Sequence, residues 1–171
     1  MKHRVVITGM GVVAPNAVGL DNFLEAIQQG RSGITFHQKL QDLKFSCCIG
    51  GIPPVSEEIK NKYLTPLQLR GFDSAGILYG CIAGMDAWKD AGFVIDKNSP
   101  IDYNSGMVFG TGTAGIEKFR EAIYKLDDQK VKRLGSTVVV QTMASGISAY
   151  LGGILGMGNQ VTTNSSACTT G

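Results

Sequence analysis

Apolar residues recur at spacings of three and four most clearly over 74–91, where Ile77, Leu78, Cys81, Ile82, Met85 and Trp88 fall on one stripe. The spacing predicts a core helix, with Asp73 as its cap and Gly92 as its stop. A second amphipathic helix is expected over 115–126, and a shorter one over 21–29, opened by Asp21 and closed by Gly30. Residues 142–155 are apolar and small on every side, which predicts a buried, closely packed helix. Strands are expected over 3–9, where a β-branched run ends in glycine, and over 44–52, 105–110 and 160–164. Pro53-Pro54 closes the second of these, and Gly156 to Asn159 form a turn before the last. Strands alternate with helices, without repeats or a long linker, so an α/β layered sheet is the expected architecture.

Two segments imitate other structures. Lys2-His3-Arg4 before Val5-Val6-Ile7 looks like the start of a secretory signal, but Gly9, Gly11 and Pro15 interrupt the apolar stretch. Val138 to Leu155 carries no charge and is long enough to be screened as a membrane span. Its Gln141, Thr142, Ser145, Ser148 and glycines favour a buried helix over a span.

Composition narrows the classes. In 171 residues, 43% are hydrophobic and 18% charged, which excludes a disordered chain. The 23 glycines show no three-residue period, which excludes collagen. A net charge of +2 gives no argument for nucleic acid. The four cysteines form no Cys-x-x-Cys and the two histidines no ligand spacing, so no metal site and no cofactor are expected. A reducing compartment, the cytoplasm, is the simpler setting.

Two glycine loops and one cysteine carry candidate chemistry. Gly9-Met10-Gly11-Val12-Val13-Ala14 follows a predicted strand, as a dinucleotide loop does. No helix opens at once behind it, and no acidic strand end follows, so a tight turn at a buried sheet edge is the better reading. Gly110 to Gly115 lies between a strand and a helix. Its glycines suit either a plain turn or a backbone wall pressed close to a pocket. Near the end, a strand runs into Thr163-Asn164-Ser165-Ser166-Ala167-Cys168-Thr169-Thr170-Gly171. Small residues on both sides of Cys168 permit the sharp turn a nucleophile needs, with backbone N–H groups free to hold an oxyanion. A helix opening behind it would favour the thiolate. A lone cysteine is otherwise a small buried hydrophobe.

Four stretches together, RVVITGMGVVAP (4–15), AGMDAWKDAG (83–92), GTGTAGIEKF (110–119) and SSACTTG (165–171), resemble the N-terminal part of a β-ketoacyl-acyl carrier protein synthase of the elongating, type II kind. The resemblance covers nearly the whole chain. It implies a thiolase-like layered α-β-α-β-α fold, of which residues 1–171 are an incomplete N-terminal region, and a homodimer. It implies a decarboxylating Claisen condensation in fatty acid or related polyketide or polyene synthesis. Cys168 takes the acyl group from acyl carrier protein as a thioester. Malonyl-carrier protein then loses carbon dioxide, and its carbanion attacks the acyl-enzyme. In the family two histidines helped by a lysine serve the malonyl unit, and both lie downstream of the cysteine; His3 and His37 match neither. This chain is therefore expected to be a fragment, inactive alone.

Aligned outward from Cys168, the resemblance places Thr113 at the acyl pocket and Val139 at a position that closes that pocket across the dimer. Thr113 is smaller and more polar than the usual aliphatic, and Ser145 replaces the usual asparagine of the buried helix. Lys132-Arg133, with Lys130 beside them, fall where a basic pair meets the acidic carrier protein. Lys60, Lys62 and Arg70 are further candidates for that surface. Two other readings compete: a non-catalytic ketosynthase-like partner subunit, against which Cys168 argues, and a stand-alone structural or binding module. No nucleic acid and no membrane span are expected.

Overall fold

The computed structural model describes residues 3–71 and 74–170. Asp73, the expected cap of the long helix, lies outside the described residues. The chain opens with a hairpin of β1 (Val13–Ala14) and β2 (Ala17–Val18), then α1 (Leu20–Gln28). β3 (Ile34–Phe36), α2 (Gln38–Asp42) and β4 (Ile49–Gly51) follow, with β3 and β4 antiparallel. Next come α3 (Glu57–Tyr63), α4 (Pro66–Leu69) and the long α5 (Ala75–Asp90). β5 (Met107–Gly110), α6 (Ile116–Asp127), α7 (Val138–Thr142), α8 (Gly146–Leu155) and β6 (Val161–Asn164) complete the order. β5 and β6 pair in parallel, Met107 opposite Val161 through Gly110 opposite Asn164.

The core forms where the long helix was expected. Ile77, Leu78, Cys81, Ile82 and Met85 are buried on α5, and Ile147 and Leu151 of α8 and Met107 of β5 pack into the same cluster. Each large aliphatic side chain removed from water here contributes about 1.5–3 kcal/mol. Glycines let α5 and α8 approach closely: a Cβ on Gly84 would stand 2.2 Å from Leu151 Cδ2, and one on Gly80 2.7 Å from Ile147 Cγ2. α8 also packs on β5 and β6, and Ser148 Oγ and Thr163 Oγ1 share a 2.6 Å hydrogen bond. The helix therefore anchors the sheet that leads to Cys168.

The expected helix stops are present. Gly30 and Gly92 both take the left-handed backbone, with φ of 64° and 85°. After α5, Gly92 N–H bonds Lys89 O and Phe93 N–H bonds Trp88 O, and the Trp88 and Phe93 rings stack at 4.5 Å. α1, however, starts at Leu20 with Gly19 in the cap position, not Asp21.

Three expectations are corrected. Residues 3–9 form no buried strand: Val5 is 95% exposed and Ile7 87%. A strand exists only by pairing, and no strand among the described residues lies beside this segment. Its end is instead pressed onto α5, where a Cβ on Gly11 would lie 1.9 Å from Ala83 O, and Met10 N–H bonds Asp90 Oδ2 at 2.8 Å. The glycines of this loop thus serve close packing, not a tight turn. The strand over 44–52 shrinks to Ile49–Gly51, because Lys44 takes a positive φ of 59° at the end of the α2 turn. The helix over 142–155 is broken: α7 ends at Thr142, Met143 is extended, and α8 begins at Gly146. A Cβ on Gly146 would meet Val140 O at 2.5 Å, so the bend needs glycine there. No helix among the described residues is long and apolar enough to cross a membrane.

Two groups make this fold sensitive to alkali. Tyr63 donates its hydroxyl hydrogen bond to Asp86 Oδ2 at 2.9 Å. Burial first, then that bond and the carboxylate charge, push its pKa from 10.0 up to about 12. Burial pushes the Cys81 thiol from 9.0 up to about 12 as well. Both groups keep their protons in the native state where the unfolded chain has lost them. The stability they confer is complete below about pH 9 and lost progressively toward about pH 12. Tyr63→Phe should shorten that decline, leaving the share from Cys81. Identical falls of the unfolding midpoint with pH in both proteins, followed by circular dichroism, would overturn the assignment.

Candidate active site

β6 delivers Cys168 in a few residues. After Asn164 the chain passes Ser165 and Ser166 into a single 3-10 turn, Ala167–Thr169. Ala167 adopts φ of 51°, a left-handed conformation that non-glycine residues seldom take, immediately before the cysteine. Short hydroxyl side chains hold the turn. Ser166 N–H donates to Thr170 Oγ1 at 2.9 Å, Thr170 Oγ1 donates to Ala167 O at 2.7 Å, and Thr169 Oγ1 donates to Ser166 O at 2.8 Å. This explains the run of serine and threonine: each can satisfy a backbone group within a bend too tight for a regular ladder. Cys168 itself is exposed and unbridged.

The glycine loop is built against this turn. Thr111 N–H bonds Asn164 O at 3.0 Å, extending the β5–β6 ladder, and Ser165 Oγ donates to Gly112 O at 3.3 Å. A Cβ on Gly110 would lie 2.6 Å from Thr170 O. The loop's close approach at Gly110 is to the cysteine turn itself. At its far end Gly115, with φ of 66°, leaves room for Gln141 O, which a Cβ would approach to 1.8 Å. One loop thus touches the cysteine turn at its start and α7 at its end. Thr113 sits in it and is exposed; Thr111 Oγ1 donates to its carbonyl at 3.1 Å. Val139 lies on α7 and is 67% exposed. The glycine loop that carries Thr113 thus runs from the Cys168 turn to α7, the helix that carries Val139.

A cavity of about 1210 Å³ lies elsewhere, lined by Tyr63, Leu64, Met85, Lys89 and Tyr150 among others, and none of Cys168, Thr113 or Val139 borders it. Its volume does not make it the reactive site: no cysteine lines it, and the left-handed turn belongs to Cys168. The other cysteines differ from Cys168 in setting. Cys81 is fully buried in the core, and Cys47 and Cys48 sit in the loop before β4.

The basic residues part company. Lys130 is ion-paired with Asp128 at 2.7 Å, and Lys60 with Glu57 at 2.5 Å. Lys62 lies over the Tyr63 ring, 5.8 Å from its centroid, and Arg70 is exposed. Lys132 and Arg133 project from the 3-10 turn Val131–Arg133, and neither has an ion-pair partner among the described residues. In the sequence Gln141 counts only against a membrane span, with no role at the site. The hydroxyl run was visible as small residues only. A glutamine inside an uncharged apolar stretch was the one signal that could have raised Gln141.

Fold and site together define a mixed α/β chain that presents an exposed cysteine on a strained turn at the end of a parallel strand, against a glycine loop. The chain belongs to the beta-ketoacyl synthase family, matching its N-terminal domain over residues 2–171. It is 29% identical to the chloroplastic 3-oxoacyl-[acyl-carrier-protein] synthase I of Arabidopsis thaliana, over 99% of this chain and 35% of that protein. It is 30% identical to 3-oxoacyl-[acyl-carrier-protein] synthase 1 of Escherichia coli K12, over 86% of this chain and 36% of that protein. The chain therefore spans little more than a third of these relatives. Among solved structures, a beta-ketoacyl synthase from Burkholderia phymatum superposes with a TM-score of 0.74 at 23% identity, over 98% of this chain and 40% of that one. A type II PKS acyl-carrier protein in complex with its ketosynthase gives 0.74 at 22%, over 98% and 39%. The fold is thus part of the thiolase-like ketosynthase fold, as the resemblance implied.

Proposed function

We propose that this chain is the N-terminal region of a β-ketoacyl-acyl carrier protein synthase, an acyltransferase of fatty acid or related polyketide or polyene synthesis, working as a cytoplasmic homodimer. The observation that carries the reading is the placement of Cys168, exposed on a hydroxyl-held turn and pressed against the glycine loop. Cys168 Sγ attacks the thioester carbonyl of an acyl-carrier protein; the carrier thiol leaves with the proton, and the acyl group stays on sulfur. Malonyl-carrier protein then gives up carbon dioxide. Its carbanion attacks the acyl carbonyl, the C–S bond breaks, and the Cys168 thiolate is regenerated. Thr113 and Val139 line the acyl chain's path. Intact-mass measurement of the complete enzyme incubated with acyl-carrier protein tests this: one acyl group should be gained per chain, and no gain would sink the reading.

Lys132 and Arg133, unpaired and exposed, are proposed to meet the acidic carrier protein, with Lys130 contributing less because Asp128 already holds it. Lys132→Glu/Arg133→Glu should slow carrier association about tenfold at low salt. The difference should shrink as salt shortens the screening length to about 8 Å and below. Stopped-flow association that is unchanged by the double reversal would reduce the patch to a solvated face.

A further inference from the structure

Gln141 joins three elements around the candidate pocket. It is only 3% exposed, inside a stretch without charges. Its Oε1 accepts the Ser74 backbone N–H at 2.9 Å, across 67 residues of sequence, at the start of α5. Its Nε2 donates to Thr137 Oγ1 at 3.1 Å, at the start of α7. Its own carbonyl is the atom against which Gly115 is packed, at the end of the glycine loop. Beside it, Ala75 N–H bonds Glu117 Oε1 at 2.8 Å, so the α6 side chain caps α5 next to the Gln141 bond. The first N–H groups of a helix have no partner within it, and here side chains from α6 and α7 supply them. Ser74 lends no help: its own hydroxyl is fully buried, without a partner among the described residues.

We propose that Gln141 is a positioning residue for the acyl pocket, fixing α7 and the glycine loop on α5, and through them the places of Val139 and Thr113. The inference rests on the condensing-enzyme reading for the word pocket, and on geometry alone for the joint. A buried glutamine with both ends bonded admits one arrangement of the pieces it links, because any shift leaves a polar group unpaired in the core. Both candidate pocket residues are carried on backbone that ends at this joint. The selectivity of the site for acyl length therefore depends on a side chain that touches no acyl atom.

The test uses the complete enzyme with Gln141→Met, which keeps length and bulk but removes both hydrogen bonds, and Gln141→Glu, which keeps the acceptor for Ser74. Hydrogen–deuterium exchange should quicken in Gln141→Met at the first turn of α5, in α7 and in the glycine loop, leaving the β3–β4 hairpin unchanged. Gln141→Glu should restore the α5 protection. Among acyl-carrier proteins of graded length, the ratio of long- to short-chain kcat/KM for Cys168 acylation should shift about tenfold in Gln141→Met. The shift should appear while the shortest substrate keeps its kcat. Exchange that rises in α7 alone, or a ratio unchanged while wild-type Cys168 is acylated, overturns the proposal. If wild-type Cys168 takes no acyl group, the condensing-enzyme reading fails. The exchange pattern then decides the joint by itself.

Discussion

Cys168→Ala should abolish condensation in the complete enzyme, and peptide mapping of the wild type after acyl transfer should find the acyl group on Cys168 and on no other cysteine. The argument is geometric. Thioester exchange needs a sulfur that a carrier-borne acyl group can reach and a turn whose backbone N–H groups face the developing oxyanion. Cys168 meets the first need: it is exposed on a tight turn, behind a left-handed Ala167. Cys81 is walled into the core, and its thiol, raised to about 12 by burial, stays protonated at neutral pH. Cys47 and Cys48 are accessible, but they sit in a loop before an antiparallel strand with no glycine wall beside them. Cys168→Gln should also end condensation, while decarboxylation of the malonyl unit should persist, since that step needs no sulfur. An acyl group mapped to Cys47 or Cys48 overturns the assignment.

Residues 1–171 alone should form no condensation product from acyl- and malonyl-carrier proteins. The malonyl step calls for groups that promote loss of carbon dioxide and steady the resulting charge, and each such group removed typically costs a factor of about 10² or more. The two histidines of this chain do not supply them. His37 spends Nε2 on Gly50 O at 3.0 Å, and its backbone N–H goes to Cys48 O, so it belongs to the β3–β4 hairpin. His3 lies in the exposed opening segment, and no hydrogen bond among the described residues joins either to the Cys168 turn. Exposed apolar residues such as Val5, Ile7 and Val108 should also make the isolated chain associate. Product formed at a rate near that of the complete enzyme would show that the catalytic set lies within these residues.

Where the sequence was legible, the cause was local. α5 could be read because its stripe of Ile77, Leu78, Cys81, Ile82 and Met85 needs only the helical period, and its stop because Gly92 alone takes φ of 85° cheaply. The Cys168 turn could be read because a run of small residues permits a bend too sharp for bulky ones. What was hidden depended on partners far along the chain. Val5-Val6-Ile7 reads as a strand, yet strand formation is decided by a neighbour, and none lies beside it among the described residues. The break at Met143 is set by Ile77 and Val140 crowding Gly146, which no local pattern announces. Lys130 stood two residues from Asp128, and that pairing was readable. The bond from Gln141 to Ser74 was not.

The two ends of α5 are completed at different times during synthesis. Its last turn closes with Gly92 and Phe93, residues that follow within a moment of Asp90. Its first turn waits for Glu117, 42 residues after Ala75, and for Gln141, 67 residues after Ser74. From Phe93, which closes the tail, to Gln141 is 48 residues, so at ribosomal rates of about 5–20 residues per second the delay is roughly 2–10 s. Throughout it, the central helix of the core is held at its tail and frays at its head. A nascent chain paused before residue 141 should therefore expose the head of α5 to chaperones and proteases, and release of the pause should hide it.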